Sequence, residues 1–336
     1  MKLGKVSDTI LSRSVLKPLN TVRGQKVTRM DIGQDVSEVD IREQGVDKTL
    51  LSATACGYMP LIKAVNNIYA AGGTPIAASD CIVMPEQARE IRIREVIAGL
   101  TRQAAVTEVP IAGGHTTVSA SVSEPVVTVT VQGLREDNRN VIEAGQHIIA
   151  AGCIGISGVK QLVETDEQAV YERYSKDWVS KAVGEDTDMY IGGMVQLLRD
   201  NGINCYMHDV SEGGIFGALW DMCEYGNVGL DVDIRSIPVR QEIIEICELF
   251  NVNPYELQSL GCLLMTADND CDIINILNSN NIPAAVIGRI VNGNQRILHN
   301  KDEERFLTLP NQDEIFSCIK TCLLYTSPSP RDGATS

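Results

Sequence analysis

Apolar positions recur at helical spacing from Pro60 to Ala71 (PLIKAVNNIYAA), where Leu61, Ala64, Val65 and Ile68 share a face and the Gly72-Gly73 pair behind them is a stop signal. The pattern predicts a helix there, a strand over 76–83 and a second amphipathic helix over 86–106. VPIAGGHT then reads as a short apolar run ending in a glycine turn, completing a β-α-β-like unit. Residues 125–134 (PVVTVTVQGL) alternate β-branched and polar side chains with period two, as a half-buried strand does. Polar residues 135–145 form a turn, a fresh strand starts at His147 (HIIAAGCIG), and the boundary falls near residue 140. Behind it the theme repeats. Strands over 203–207, 228–234, 261–266 and 284–290 alternate with helices from Gly213, over 239–250 and over 271–278. The expected class is α+β: two α/β sandwich domains with mixed sheets, over 1–140 and 141–316.

Length and composition agree with that division. At roughly 150 residues per domain, 336 residues make about two domains, and 44% hydrophobic residues suffice for proper cores. The net charge of -15 repels phosphate backbones and anionic lipid, which argues against nucleic acid and membrane as partners. No apolar run approaches the ~20 residues of a membrane span, and the N-terminal stretch scatters polar residues where a signal peptide needs apolar ones, so a cytoplasmic location is expected. Ten cysteines lie singly among apolar neighbours without a C-x-x-C pair, and read as reduced, mostly buried thiols. After Lys320 the sequence TCLLYTSPSPRDGATS has no apolar period; residues 321–336 read as a non-native or disordered tail.

Three glycine bends are the candidate chemistry: Asp31-Ile32-Gly33-Gln34-Asp35, Ala112-Gly113-Gly114-His115-Thr116 and His208-Asp209-Val210-Ser211-Glu212-Gly213-Gly214. Paired glycines after a strand let several backbone N–H groups converge, the geometry that cradles phosphate oxygens at a helix N-terminus. One such bend alone is more often a tight connection. His208-Asp209 could serve as an acid/base pair, although neighbours on a strand point to opposite faces. No Walker loop or G-x-S-x-G elbow is present.

With those residues in view, the stretch from Met1 to Phe316 resembles the aminoimidazole ribonucleotide (AIR) synthase-related, or PurM-like, superfamily, which includes selenophosphate synthetase, thiamine-monophosphate kinase and the hydrogenase maturation protein HypE. The likeness is closest to the HypE group. KLGKVSDTILSRSVL is similar to that group's opening segment, and AVNNIYAAGGTP to its V-N-D-hydrophobic-A-x-x-G-A-x-P helix. IAGGHTTV with PVVTVTVQG resembles the G-G-[DH]-[TS] turn and its following strand. MHDVSEGGIFGALWDM and VGLDVDIRSIPVRQEIIEIC resemble the H-D-P-T-R-G-G and I-P-V-R-x-E segments. The resemblance implies a homodimer joined through N-terminal sheets and ATP held by glycine turns with Mg²⁺ on carboxylates. It implies phosphoryl transfer that activates a small group, and a maturation-partner protein. The cofactor-binding positions it implies are Asp35, Asn67, Gly113, Gly114, His115, Thr116, Asp209, Gly213 and Gly214, with Asp35 as metal ligand and His208 and Asp209 as catalytic candidates.

The chain departs from that pattern at its acidic positions. The aspartates of G-x-D, T-D, V-N-D and G-G-D-T fall on Asp35, Ala55, Asn67 and His115, so a single carboxylate remains and the Mg²⁺ site is expected to be weakened. The arginine of H-D-P-T-R-G-G is Glu212, and the glutamate of an N-E-G segment is missing at Ser259-Leu260-Gly261. HypE ends in P-R-hydrophobic-C, whose cysteine carries the carbamoyl group; neither Cys318 nor Cys322 has that context. Two readings follow: an ATP-binding protein of the HypE kind that activates a small group, or a relative that keeps the fold for nucleotide sensing or partner binding. A true AIR synthase is disfavoured, because its G-G-E-T-A signature reads G-G-H-T-T.

Overall fold

The computed structural model describes residues 7–22, 32–41, 48–136 and 140–318; the tail expected over 321–336, with Cys322, lies outside the described residues. A helical stretch over 8–22 comes first. Five strands, β1 (Ser37–Asp40), β2 (Thr49–Cys56), β3 (Thr74–Pro85), β4 (Ile111–Ser119) and β5 (Val126–Arg135), then form a sheet in the order β1-β2-β5-β3-β4. Only the β3–β4 pair is parallel. Helix α1 (Pro60–Ala70) joins β2 to β3, and α2 (Glu90–Thr107) joins β3 to β4.

One face of this sheet is covered. Leu51, Ala53 and Ala55 of β2, Ala78, Ile82 and Met84 of β3 and Val129 and Val131 of β5 pack on Leu61, Ala64, Val65 and Ile68 of α1 and Leu100 of α2. This is why β2 and β5 alternate with period two: every second side chain faces the helices. The other face carries Thr54, Cys56, Thr128, Thr130 and Cys81, aligned across the strands, with Thr54 and Thr130 joined by a 2.9 Å hydrogen bond.

The second sheet has seven strands in the order β12-β11-β8-β10-β6-β9-β7. They are β6 (His147–Ala151), β7 (Tyr206–Val210), β8 (Gly229–Asp233), β9 (Cys262–Ala267), β10 (Ala284–Val291), β11 (Arg296–Asn300) and β12 (Glu303–Phe306). Its helices are α3 (Ile156–Thr165), α4 (Glu167–Arg173), α5 (Lys176–Val183), α6 (Gly192–Asp200), α7 (Gly214–Gly226), α8 (Gln241–Phe250) and α9 (Asp270–Ser279). Here both faces are covered. Ile148, Ala150, Cys262 and Leu264 join the core under α7, whereas Ile149, Ala151, Leu263 and Met265 join the core under α6 and α9. Burial on both sides accounts for the unbroken apolar runs HIIAA and CLLM.

Several expectations need correction. The strand expected over 203–207 runs over Tyr206–Val210, because the chain first closes α6 at Asn201 and Gly202. The turn expected at Gly113-Gly114 is the interior of β4: Gly113 and Gly114 pair with Ser79 and Asp80, and the strand continues to Ser119. Thr117 and Val118 support strand there, and parallel pairing with β3 outweighs the turn tendency of two glycines. The helices α3, α5 and α6 went unread in the sequence.

The two sheets meet across α1, which packs against β7. Asn66 is fully buried in this junction, its amide donating to the Met189 carbonyl (2.9 Å) and its oxygen accepting from the Ile191 amide (3.1 Å). Asn66→Ala would strand two backbone groups in the dry seam, at roughly 1–3 kcal/mol for each group left unpaired. A lowered midpoint in urea unfolding is the expected result, and an unchanged midpoint would show that the seam admits water.

Candidate functional site

The junction is also where chain-distant polar residues converge. In the loop before β1, Gly33 adopts φ +78°, and a Cβ there would lie 2.5 Å from the Asp221 carbonyl oxygen on α7. Only glycine lets this loop press onto the second unit. The contact sets Asp35 beside the end of β7. Ligand atoms of Asp35, His208 and Asp209 all lie within 4.8 Å of one another. His208 and Asp209 are buried, and Asp35 is partly exposed. Strand alternation predicted divergence for the adjacent pair; at the sheet edge both reach Asp35 instead.

His208 is held in one orientation. Its Nδ1 lies 2.7 Å from the Asp209 carbonyl oxygen, an acceptor, so Nδ1 carries the proton that donates. Nε2 is buried with no hydrogen-bond partner among the described residues, 3.7 Å from Asp35 Oδ2. An orphaned buried nitrogen facing a carboxylate suits a cation lying between the two groups. Two carboxylates supply the hard oxygen donors that Mg²⁺ takes, and the imidazole nitrogen adds a donor that Mn²⁺ or Zn²⁺ accepts more readily. A cavity of about 250 Å³ opens beside the cluster, lined by Gly33, Asp35, Ser52, Thr54 and Asp221.

The other expected residues are placed as follows. Asn67 is buried on α1, next to the junction residue Asn66, and Ala55 packs within the core of the first sheet. Gly113, Gly114, His115 and Thr116 are exposed on β4, an edge strand of its sheet. Gly213 and Gly214 open α7, and both amides are engaged: Gly213 donates to Asp313 Oδ2 (2.7 Å) and Gly214 to the Ser211 carbonyl (3.1 Å). Glu212, where the resembled motif has arginine, pairs with Lys63 of α1 at 3.4 Å. A cation therefore stands there, supplied by the other unit.

Asp313, Lys63 and Asp221 escaped the reading of the sequence. Asp313 comes from the far end of the chain and is 2% exposed, accepting from Gly213 and, at 3.0 Å, from Ile315. Burial lifts its carboxyl from 3.8 to about 6, against the backbone hydrogen bonds that favour the charged form. The native state thus holds this proton more tightly than the unfolded chain, and Asp313 makes stability fall as pH rises from about 4 to about 6. Melting curves of wild type and Asp313→Asn across that window should converge or cross as pH rises, with the difference level above it. A constant difference would place the carboxyl in ordinary solvation.

Comparisons with known proteins bear on this arrangement. Residues 27–135 match the family described as AIR synthase related protein, N-terminal domain, and residues 143–300 its C-terminal domain. A hydrogenase expression/formation protein of Methanocaldococcus jannaschii is 22% identical over 281 residues, 80% of this chain and 81% of that protein. Carbamoyl dehydratase HypE of Rhodobacter capsulatus is 24% identical over 62% of this chain and 61% of its own length. Among solved structures, Escherichia coli HypE superposes with TM-score 0.68 at 17% identity, covering 91% of this chain and 98% of that one. A hydrogenase maturation HypE in complex with ATP gives TM-score 0.66 at 16% identity, covering 94% and 97%.

Proposed function

The chain belongs to the AIR synthase related family, and from that premise we propose that it binds ATP with a divalent cation at the junction of its two sheets. The activity proposed is ATP-dependent activation of a small group, of the kind implied for HypE-like maturation proteins. The observation that carries the reading is the meeting of Asp35, from the N-terminal unit, with His208 and Asp209 from the C-terminal one. Asp35 and Asp209 would hold the cation, which when bound neutralises phosphate charge, and His208 would complete or orient the set. A homologous structure holds ATP, and another pairs HypE with HypF, which supports a nucleotide and a maturation partner as the two classes of ligand. The exposed side chains of Thr54, Cys56 and Cys81 on the outer face of the first sheet, with exposed strand β4 at its edge, support a homodimer joined there.

Calorimetry with ATP, in Mg²⁺, in Mn²⁺ and without metal, tests the proposal. Heat that depends on the cation is the expected result, and no heat under any condition would remove the reading. Asn67→Asp restores an acidic position of the family motif and should tighten cation-dependent binding several-fold; no change would place the site away from α1.

A second reading, a nucleotide-sensing or partner-binding relative, draws on two observations: Ala55 is sunk in the core and the Gly213 amide is taken by Asp313. It predicts nucleotide binding indifferent to the cation, with no phosphate released.

A further inference from the structure

A cavity of about 600 Å³ lies between the two units, lined at one point by Cys205 and Met207, whereas His208 and Asp209 of the metal-competent cluster follow along the same strand. Its charge is opposite to that of the chain. Among the described lining residues Lys48, Arg135 and Arg199 face a single acid, Glu136, in a protein of net charge -15. Two of the three cations are already matched. Arg135 grips Glu38 through both terminal nitrogens (2.8 and 3.0 Å), and Lys48 meets Glu136 at 2.8 Å near the surface.

Arg199 is different. It is half-buried at the end of α6, with its guanidinium 5.8 Å from the centre of the Tyr69 ring. It donates to the Thr74 hydroxyl at 3.3 Å and the Gly73 carbonyl at 3.0 Å, both neutral acceptors, and no carboxylate among the described residues pairs with it. Five N–H donors in a rigid fork exceed what those two acceptors take. Desolvation without a counter-charge holds its pKa below the usual arginine value. The exposed lateral amides of Asn140 and Asn204, 2.6 Å apart, stand at the same cavity, and Ile76, 50% exposed, with Ile203 gives it an apolar side.

We propose that this cleft binds a small organic phosphate monoester, its phosphate on the open edge of Arg199 and its apolar body against Ile76 and Ile203. Planar, fixed and lacking a carboxylate, Arg199 has the geometry that takes two phosphate oxygens at once. Lys48 stands close enough to the mouth to turn from its exposed, weakly held partner Glu136 towards the same charge.

Phenyl phosphate and inorganic phosphate, titrated by calorimetry into the full chain at low salt without metal, test this. Phenyl phosphate should bind, and more tightly than inorganic phosphate. Arg199→Gln should weaken it tenfold or more, and Arg199→Lys, keeping charge without the fork, should fall between. Asn204→Trp, an exposed position, should block the cleft without removing the arginine, and circular dichroism confirms that each variant is folded. Asp35→Ala should leave the affinity unchanged, which separates this cleft from the proposed nucleotide site. No phenyl phosphate binding at millimolar concentration, or binding that survives both Arg199→Gln and Asn204→Trp, would overturn the assignment.

Discussion

Asp209→Ala should weaken cation-dependent ATP binding at least tenfold, about 1.4 kcal/mol or more, while leaving the apo protein as stable as before or more so. The two halves of that expectation come from one fact. Asp209 is 3% exposed and its donor atom lies within 4.8 Å of a second carboxylate, Asp35. Two like charges this close repel each other, and the buried one of the pair, Asp209, also costs desolvation, so removing it relieves the fold. With a divalent cation between them the same charges become attractive, and removing one forfeits that gain. His208→Ala should show the same split in weaker form, since it removes a nitrogen ligand whose Nε2 has no hydrogen-bond partner among the described residues. Calorimetry and thermal melting on the same samples give both readouts. A variant that loses stability and keeps its affinity would make the cluster a structural one, and the nucleotide would then have to bind elsewhere.

Gly261→Ala is expected to be the most damaging single methyl group among the described residues. The residue sits at φ +90° immediately before β9, and its Cβ would fall 1.9 Å from the Asp188 carbonyl oxygen and 2.9 Å from the Met189 Cα. Those are backbone atoms, which cannot rotate away as a side chain does. Left-handed strain and overpacking together come to roughly 2–5 kcal/mol, or a melting temperature lower by roughly 5–15 °C. The damage should also reach the junction, because Asn66 of α1 donates to the carbonyl of Met189, the next residue along. Gly193→Ala is the control. That position is exposed near the start of α6 with open space around it, and alanine favours helix, so stability should stay within about 0.5 kcal/mol. Equal melting temperatures for the two variants would mean that the segment before β9 adjusts its path.

Much of the fold was legible because its two sheets differ in how many faces they bury. β5 alternates and β9 does not, and each pattern was enough to place a strand within a residue or two of its bounds. The helices α3, α5 and α6 were missed because their apolar positions mix with small residues and acids, ISGVKQLVET being an example, and their packing partners lie in other segments. The site divided in the same way. Asp35, His208 and Asp209 were all named from their motifs, but the sequence could not show that they meet, or that Gly213 already gives its amide to Asp313, a hundred residues away. The bend expected at Gly113-Gly114 failed for a related reason: a glycine pair marks where a chain is able to turn, and neighbouring β3 decided that it runs straight.

The sequence by itself determined what is local or periodic: which segments are strands, which helices are amphipathic, that two α/β units follow one another, and which residue types are available for chemistry. Tertiary structure alone decided which of those residues stand together, that Lys63 faces Glu212, and that Arg199 meets a cavity with no carboxylate among the described residues paired to it. Periodicity is written into the covalent spacing of side chains along a backbone, whereas a site is a set of distances between segments far apart in the chain. Those distances exist only once burial of apolar surface has brought the segments into contact.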